Sequence, residues 1–158
     1  MQINISNLSE GVHTYDLAED STKLELGENF YGIVDAHATL EKSMNQIAAT
    51  VDASCKGVFI CDRCGTEFEE QVRTSFTTVY SWENDDAMDE EDDFYVLRPD
   101  DNMIDLSKNV GDYLTLAVPF KLLCGRPECE IPKHAEHQDR SIDPRWEQLQ
   151  KLLKQENN

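Results

Sequence analysis

Positive charge is what this 158-residue chain has least of: 14 Lys and Arg stand against 32 Asp and Glu, for a formal net charge of -18. Proteins that grip nucleic acid regardless of sequence do so by neutralising phosphates with Lys and Arg, and a surface of this sign repels them. The basic residues are scattered along the chain and form no block that would offset the repulsion. Long apolar runs are missing too, so nothing is long enough to cross a bilayer as a helix. Met1-Gln2-Ile3-Asn4-Ile5-Ser6 has neither the basic nor the apolar region of a secretory leader, which gives the expectation of a soluble, cytoplasmic protein. A glycine-rich phosphate loop, a nucleophile elbow and a His-Glu-x-x-His run are all lacking. The expectation is therefore not an enzyme, with no small-molecule substrate and no membrane.

Cysteine is scarce, at five residues, but four of them come as two close pairs: Cys61-Asp-Arg-Cys64 and Cys124-Gly-Arg-Pro-Glu-Cys129. Such pairs can make a disulfide ladder, a redox site or a four-thiolate metal site. In a reducing compartment they are more often metal ligands, or the remnant of a metal site, than disulfides. Four thiolates make a closed tetrahedral zinc site, and closed sites are structural. Cys61, Cys64, Cys124 and Cys129 are the candidate ligands, and Arg63 and Arg126 beside them would offset their charge. His134 and His137 could replace one cysteine, although a His-x-x-His in an acidic tail is more often polar surface. A redox Cys-x-x-Cys normally opens a helix within a βαβ unit; here the first pair lies between two strand-like runs. Cys55 falls on the apolar parity of its run and reads as a small buried hydrophobe. His13 and His37 are isolated in strand-like runs and read as surface or half-buried residues.

The period-2 signal carries most of the organisation. Gln2–Asn7, Gly11–Leu17 and Leu24-Glu-Leu26 read as edge strands. Val34, Ala36, Ala38 and Leu40 share one face of a strand, and Ile47, Ala49, Val51, Ala53, Cys55 and Phe59 share one face of the next. Between them, Glu41-Lys-Ser-Met-Asn45 suits a hairpin turn. Phe68, Val72, Phe76 and Tyr80 continue the meander, with the first cysteine pair at its second bend. Residues 83–93 carry eight acids in eleven positions and read as a solvated loop. Phe94 to Leu97 offers a short strand. Leu106, Val110, Tyr113, Leu114 and Ala117 then follow the spacing of an amphipathic helix over about 105–118, with Asp105 as its cap, Gly111 a weak point and Pro119 its stop. Asp143 and Pro144 open a last helix at 144–154, striped by Trp146, Leu149, Leu152 and Leu153.

Taken together, these segments resemble a known family. Phe59-Ile-Cys-Asp-Arg-Cys-Gly-Thr-Glu-Phe68 is similar to the Cys-x-x-Cys segment of the YceD family, the large ribosomal RNA subunit accumulation proteins. Ile104-Asp-Leu106 with Leu114-Thr-Leu-Ala-Val-Pro119 resembles that family's second signature. Cys124 and Cys129 match cysteines that follow it, and Asp143-Pro-Arg-Trp146 with Leu149 resembles its closing segment. The order of the four segments covers about residues 30–153. Many members carry a further cysteine cluster where Ile131–Arg140 here holds histidines, and others lack part of the cysteine set. The resemblance implies a factor needed for accumulation of large-subunit rRNA, without a catalytic mechanism.

The expected architecture is α+β, one domain over 1–158: a mostly antiparallel, strongly bent sheet, a covering helix and a short C-terminal helix. The expected role is support of large ribosomal subunit biogenesis through a basic ribosomal protein or a large-subunit precursor particle, with direct rRNA contact disfavoured by charge. A zinc-ribbon-like nucleic-acid binder that presents Arg63 and Arg126 to phosphates is the alternative. A thiol oxidoreductase is the third class.

Overall fold

The computed structural model describes residues 1–82 and 93–129. In chain order they form β1 (Gln2–Asn4), β2 (Gly11–Asp20), a 3-10 turn (Ser21–Leu24), β3 (Phe30–Lys42), β4 (Gln46–Ile60), β5 (Glu67–Ser81), β6 (Phe94–Val96), β7 (Met103–Asp105) and α1 (Ser107–Leu116). The long strands β2 to β5 pair antiparallel with their neighbours in sequence, and β6 joins the far side of β5 in parallel. β1 and β7 make a separate antiparallel ribbon, with Ile3 opposite Ile104.

Alternation explains why these strands form and which way they face. Val34, Ala36, Ala38 and Leu40 of β3 are all buried, as are Ile47, Ala49, Val51, Ala53, Cys55 and Phe59 of β4, while most of the residues between them are polar. β-branched and small side chains pack well on a pleated surface with one face in water. Each fully buried Ile, Val or Leu contributes about 1.5–3 kcal/mol, so this face supplies much of the driving force. The register slips once, between Tyr31 and Asp35, where Gly32 takes a φ of 80° that favours glycine.

The other side of the core is closed by several small pieces. Ile3 and Ile5 from the N-terminal segment, Ile104 and Leu106 around β7, and Val110 and Leu114 of α1 all join the strand residues in one cluster. Tyr113 of α1 stacks on Phe76 of β5 with ring centroids 4.3 Å apart. Asp105 stands ahead of α1, and its carboxylate accepts the Ser107 N–H at 2.8 Å. Gly111 lies against the end of the 3-10 turn, so closely that a Cβ there would sit 2.7 Å from the Leu24 carbonyl oxygen.

Five expectations need correction or placement. The α+β class does not hold: strands make up 52% of the described residues, there is one helix of seven residues or more, and the described chain is mostly β with one five-stranded sheet. Among the described residues the core face is not closed by helix alone but by a mosaic, because the ten residues of α1 are too few to cover it and the β1–β7 ribbon completes it. Leu24-Glu-Leu26 is not a strand. Asp20 caps a 3-10 turn there, its carboxylate accepting the Thr22 N–H at 3.0 Å and the Thr22 hydroxyl at 2.6 Å. The acidic loop at 83–93, apart from Asp93, and the helix at 144–154 lie outside the described residues. Asp93 itself is well held: Val79 and Thr78 donate to its carbonyl, and the Tyr113 hydroxyl donates to its carboxylate at 2.5 Å.

Candidate metal centre

The turn from β4 to β5 builds the first half of the site. Cys61 N–H donates to the Thr66 carbonyl at 2.9 Å, and Gly65 N–H donates back to the Cys61 carbonyl at 2.9 Å. Gly65 closes this turn with a φ of 73°, a conformation side-chain-bearing residues rarely take. The second half comes after α1, where Gly125 repeats the device with a φ of 61° and Cys129 N–H donates to the Arg126 carbonyl at 3.1 Å. In both halves a glycine directly follows a cysteine.

Asp62 locks the halves together. Its N–H donates to the Leu122 carbonyl at 2.8 Å, and its carboxylate accepts the Leu122 N–H at 2.7 Å. Arg126 adds a second tie, donating to the Glu67 carbonyl at 2.8 Å. The result is that all four expected ligand residues meet. Cys61 and Cys129 sulfurs lie 3.6 Å apart, Cys64 and Cys124 sulfurs 3.8 Å apart, and all four lie within 4.8 Å of one another.

Those distances suit one metal ion. Four sulfurs at 2.3 Å from a tetrahedral centre are separated by about 3.8 Å. They are too long for disulfide bonds, whose sulfurs lie about 2.05 Å apart. The four cysteines could hold a metal ion with no position left open for substrate, a closed and therefore structural geometry.

The electrostatics of the cluster pull its sulfurs in opposite directions. Cys61 is brought down to about 6, first by the Cys124 N–H that reaches its sulfur at 3.4 Å and then by the N–H groups of Cys64 and Arg63. Cys64 is also lowered, chiefly by the Thr66 hydroxyl 3.1 Å from its sulfur. Cys129 is pushed up to about 12, by desolvation first and then by the neighbouring sulfurs.

The other candidates separate cleanly. Cys55 is buried on β4, its thiol pushed up by desolvation, and it takes no part in the cluster. The Cys61–Cys64 pair sits in a hairpin between antiparallel strands rather than at the helix N-terminus where a redox Cys-x-x-Cys is usually found. In sequence Arg63 and Arg126 stand close to Asp62, Glu67 and Glu128, and Arg126 is engaged with the Glu67 backbone carbonyl. His134 and His137 lie outside the described residues. Asp62, Thr66 and Gly125 were not singled out by the sequence, although the glycine after Cys124 repeats the glycine after Cys64 and could have marked the second turn.

Comparison with known proteins gives one result. The family model described as "Large ribosomal RNA subunit accumulation protein YceD" matches residues 49–153, a stretch that runs from β4 through the cysteine cluster and beyond. Neither a curated protein nor a solved structure matches. Because that match spans more than half of the chain, the protein belongs to the YceD family, whose name ties it to accumulation of the large ribosomal RNA subunit.

Proposed function

We propose that this protein is a non-enzymatic cytoplasmic factor in large ribosomal subunit biogenesis, and that it acts by contacting a basic ribosomal protein or a precursor particle that carries one. The family match carries the ribosomal part of this reading. The net charge of -18 supports a protein partner over naked rRNA, because a chain of this sign gains little from counterion release on phosphate. Zinc held by Cys61, Cys64, Cys124 and Cys129 is proposed as a structural staple, which ties the β4–β5 turn to the segment after α1.

Depletion tests the role. Loss of the protein is expected to lower large-subunit rRNA relative to small-subunit rRNA, and an unchanged ratio would sink the assignment. A pull-down with the tagged protein, with and without nuclease, tests the mode of contact. Basic ribosomal proteins retained after nuclease treatment support a protein partner; tight, nuclease-sensitive capture of free rRNA at physiological salt refutes it.

A further inference from the structure

The outer face of the five-stranded sheet is where the charge of this protein is laid out in register. On β2 to β5 the residues that point away from the core form cross-strand ranks: Thr14, Thr39, Thr50 and Thr77 in one, and Asp16, His37, Asp52 and Ser75 in the next. Asp35 lies one rank further on, beside Ser54 and across from Ala18, and Glu41 stands at the other end of β3. Asp16, Asp35, Glu41 and Asp52 are exposed. Among the described residues their one ion-pair contact is between Asp16 and His37, at 2.7 Å.

A sheet face that merely meets water commonly pairs its acids with lysines and arginines across strands. This one does not: Lys56 and Arg73 are the cations of the same face on β2 to β5, and Arg73 turns to the Gln71 side chain. Apart from His37, which stands between Asp16 and Asp52, the side chains around the acids are mostly Thr, Ser and Ala, short enough to let a partner's long side chains reach the carboxylates. Like charges gathered on one face repel one another, and a cationic partner would relieve that repulsion on contact.

We infer that this outer face is the docking surface for a lysine- and arginine-rich protein segment, an inference that rests on the proposed contact with a basic partner and names where it occurs. The long cationic side chains lie across the Thr, Ser and Ala ranks with their charges among Asp16, Asp35, Glu41 and Asp52. Charge complementarity of this kind sets the rate and specificity of association and weakens with salt.

The test compares two double charge reversals of equal size. Asp35→Lys with Asp52→Lys alters the outer face; Glu28→Lys with Asp112→Lys alters exposed positions elsewhere. Binding to an octalysine peptide and to purified large-subunit precursor particles is measured for both at fixed salt, after thermal unfolding shows that each folds. The first variant is expected to lose about tenfold in affinity for both probes while the second keeps nearly all of it. Equal losses would overturn the docking face and leave the basic partner standing. Wild-type protein that binds neither probe would overturn both. If the lysine variant fails to fold, Asp35→Asn with Asp52→Asn is used, with a smaller loss at the outer face expected and no loss refuting it. Particle binding that survives the reversal but disappears with ribonuclease would assign the contact to RNA and refute the proposal.

Discussion

At the scale of single residues, Gly111 sets two effects against each other. Alanine is the better helix former by about 1 kcal/mol. Its Cβ, however, would meet the Leu24 carbonyl at 2.7 Å, and backbone cannot step aside as a flexible side chain can. Overpacking of this kind costs about 1–3 kcal/mol, so Gly111→Ala is expected to destabilise the fold on balance, read as a lower midpoint in urea at unchanged slope. The cysteines give a second residue-scale prediction. Protein purified without chelator is expected to carry about one zinc per chain, and Cys61→Ser with Cys124→Ser to carry essentially none. Since a metal needs thiolates, uptake should release protons and weaken as pH falls, and metal content that ignores both the substitutions and pH would dismiss the site. Of this centre, the four cysteines that meet were legible in the sequence because close cysteine spacing is itself the signal. Asp62 was not, because its bonds to Leu122 join segments far apart in the chain, and nothing local marks that pairing.

Elements differ in how much of themselves they announce. The strands β3, β4 and β5 were readable because one face is buried along their whole length, so alternation in the sequence is alternation in the structure. The β1–β7 ribbon was not readable, since three-residue strands carry almost no pattern and their pairing is set by distant residues. The 3-10 turn was mistaken for a strand because Leu24 and Leu26 alternate, whereas the deciding signal was Asp20 two places before Thr22. That cap gives a pH prediction. The Thr22 hydroxyl, and then its N–H, hold the Asp20 carboxyl below its ordinary range. A depressed carboxyl contributes stability that is complete above the unfolded value of about 4 and is lost as pH falls through the lowered one. Amide exchange at Thr22 should therefore accelerate only in acid below about pH 4, beyond the trend of other exposed amides. For α1, Leu114 is fully buried, and Leu114→Ala is expected to cost about 2–5 kcal/mol in denaturant unfolding. A loss under 1 kcal/mol would mean that the helix is dispensable to the core.

For the whole molecule, the excess of acid predicts opposite responses to salt in folding and in binding. Self-repulsion opposes the compact state and is screened as the Debye length shrinks from about 30 Å at 0.01 M to about 8 Å at 0.15 M. The melting temperature is expected to rise over that range while affinity for a basic partner falls. Salt effects of the same sign on both would show that charge governs only one of them. Charge was open to reading from composition alone; the class of the fold was not, because what closes the core is a mosaic whose parts come from both sides of the meander. That mosaic also has a bearing on synthesis. β2 to β5 are neighbours in sequence and can be added one hairpin at a time as the chain leaves the ribosome. Ile3 must wait for Ile104, and Cys61 and Cys64 must wait for Cys124 and Cys129. A nascent chain stopped short of β7 would therefore hold a nearly complete sheet with its apolar face open and two thiols without their counterparts, a form that a chaperone could recognise and that a finished molecule no longer presents.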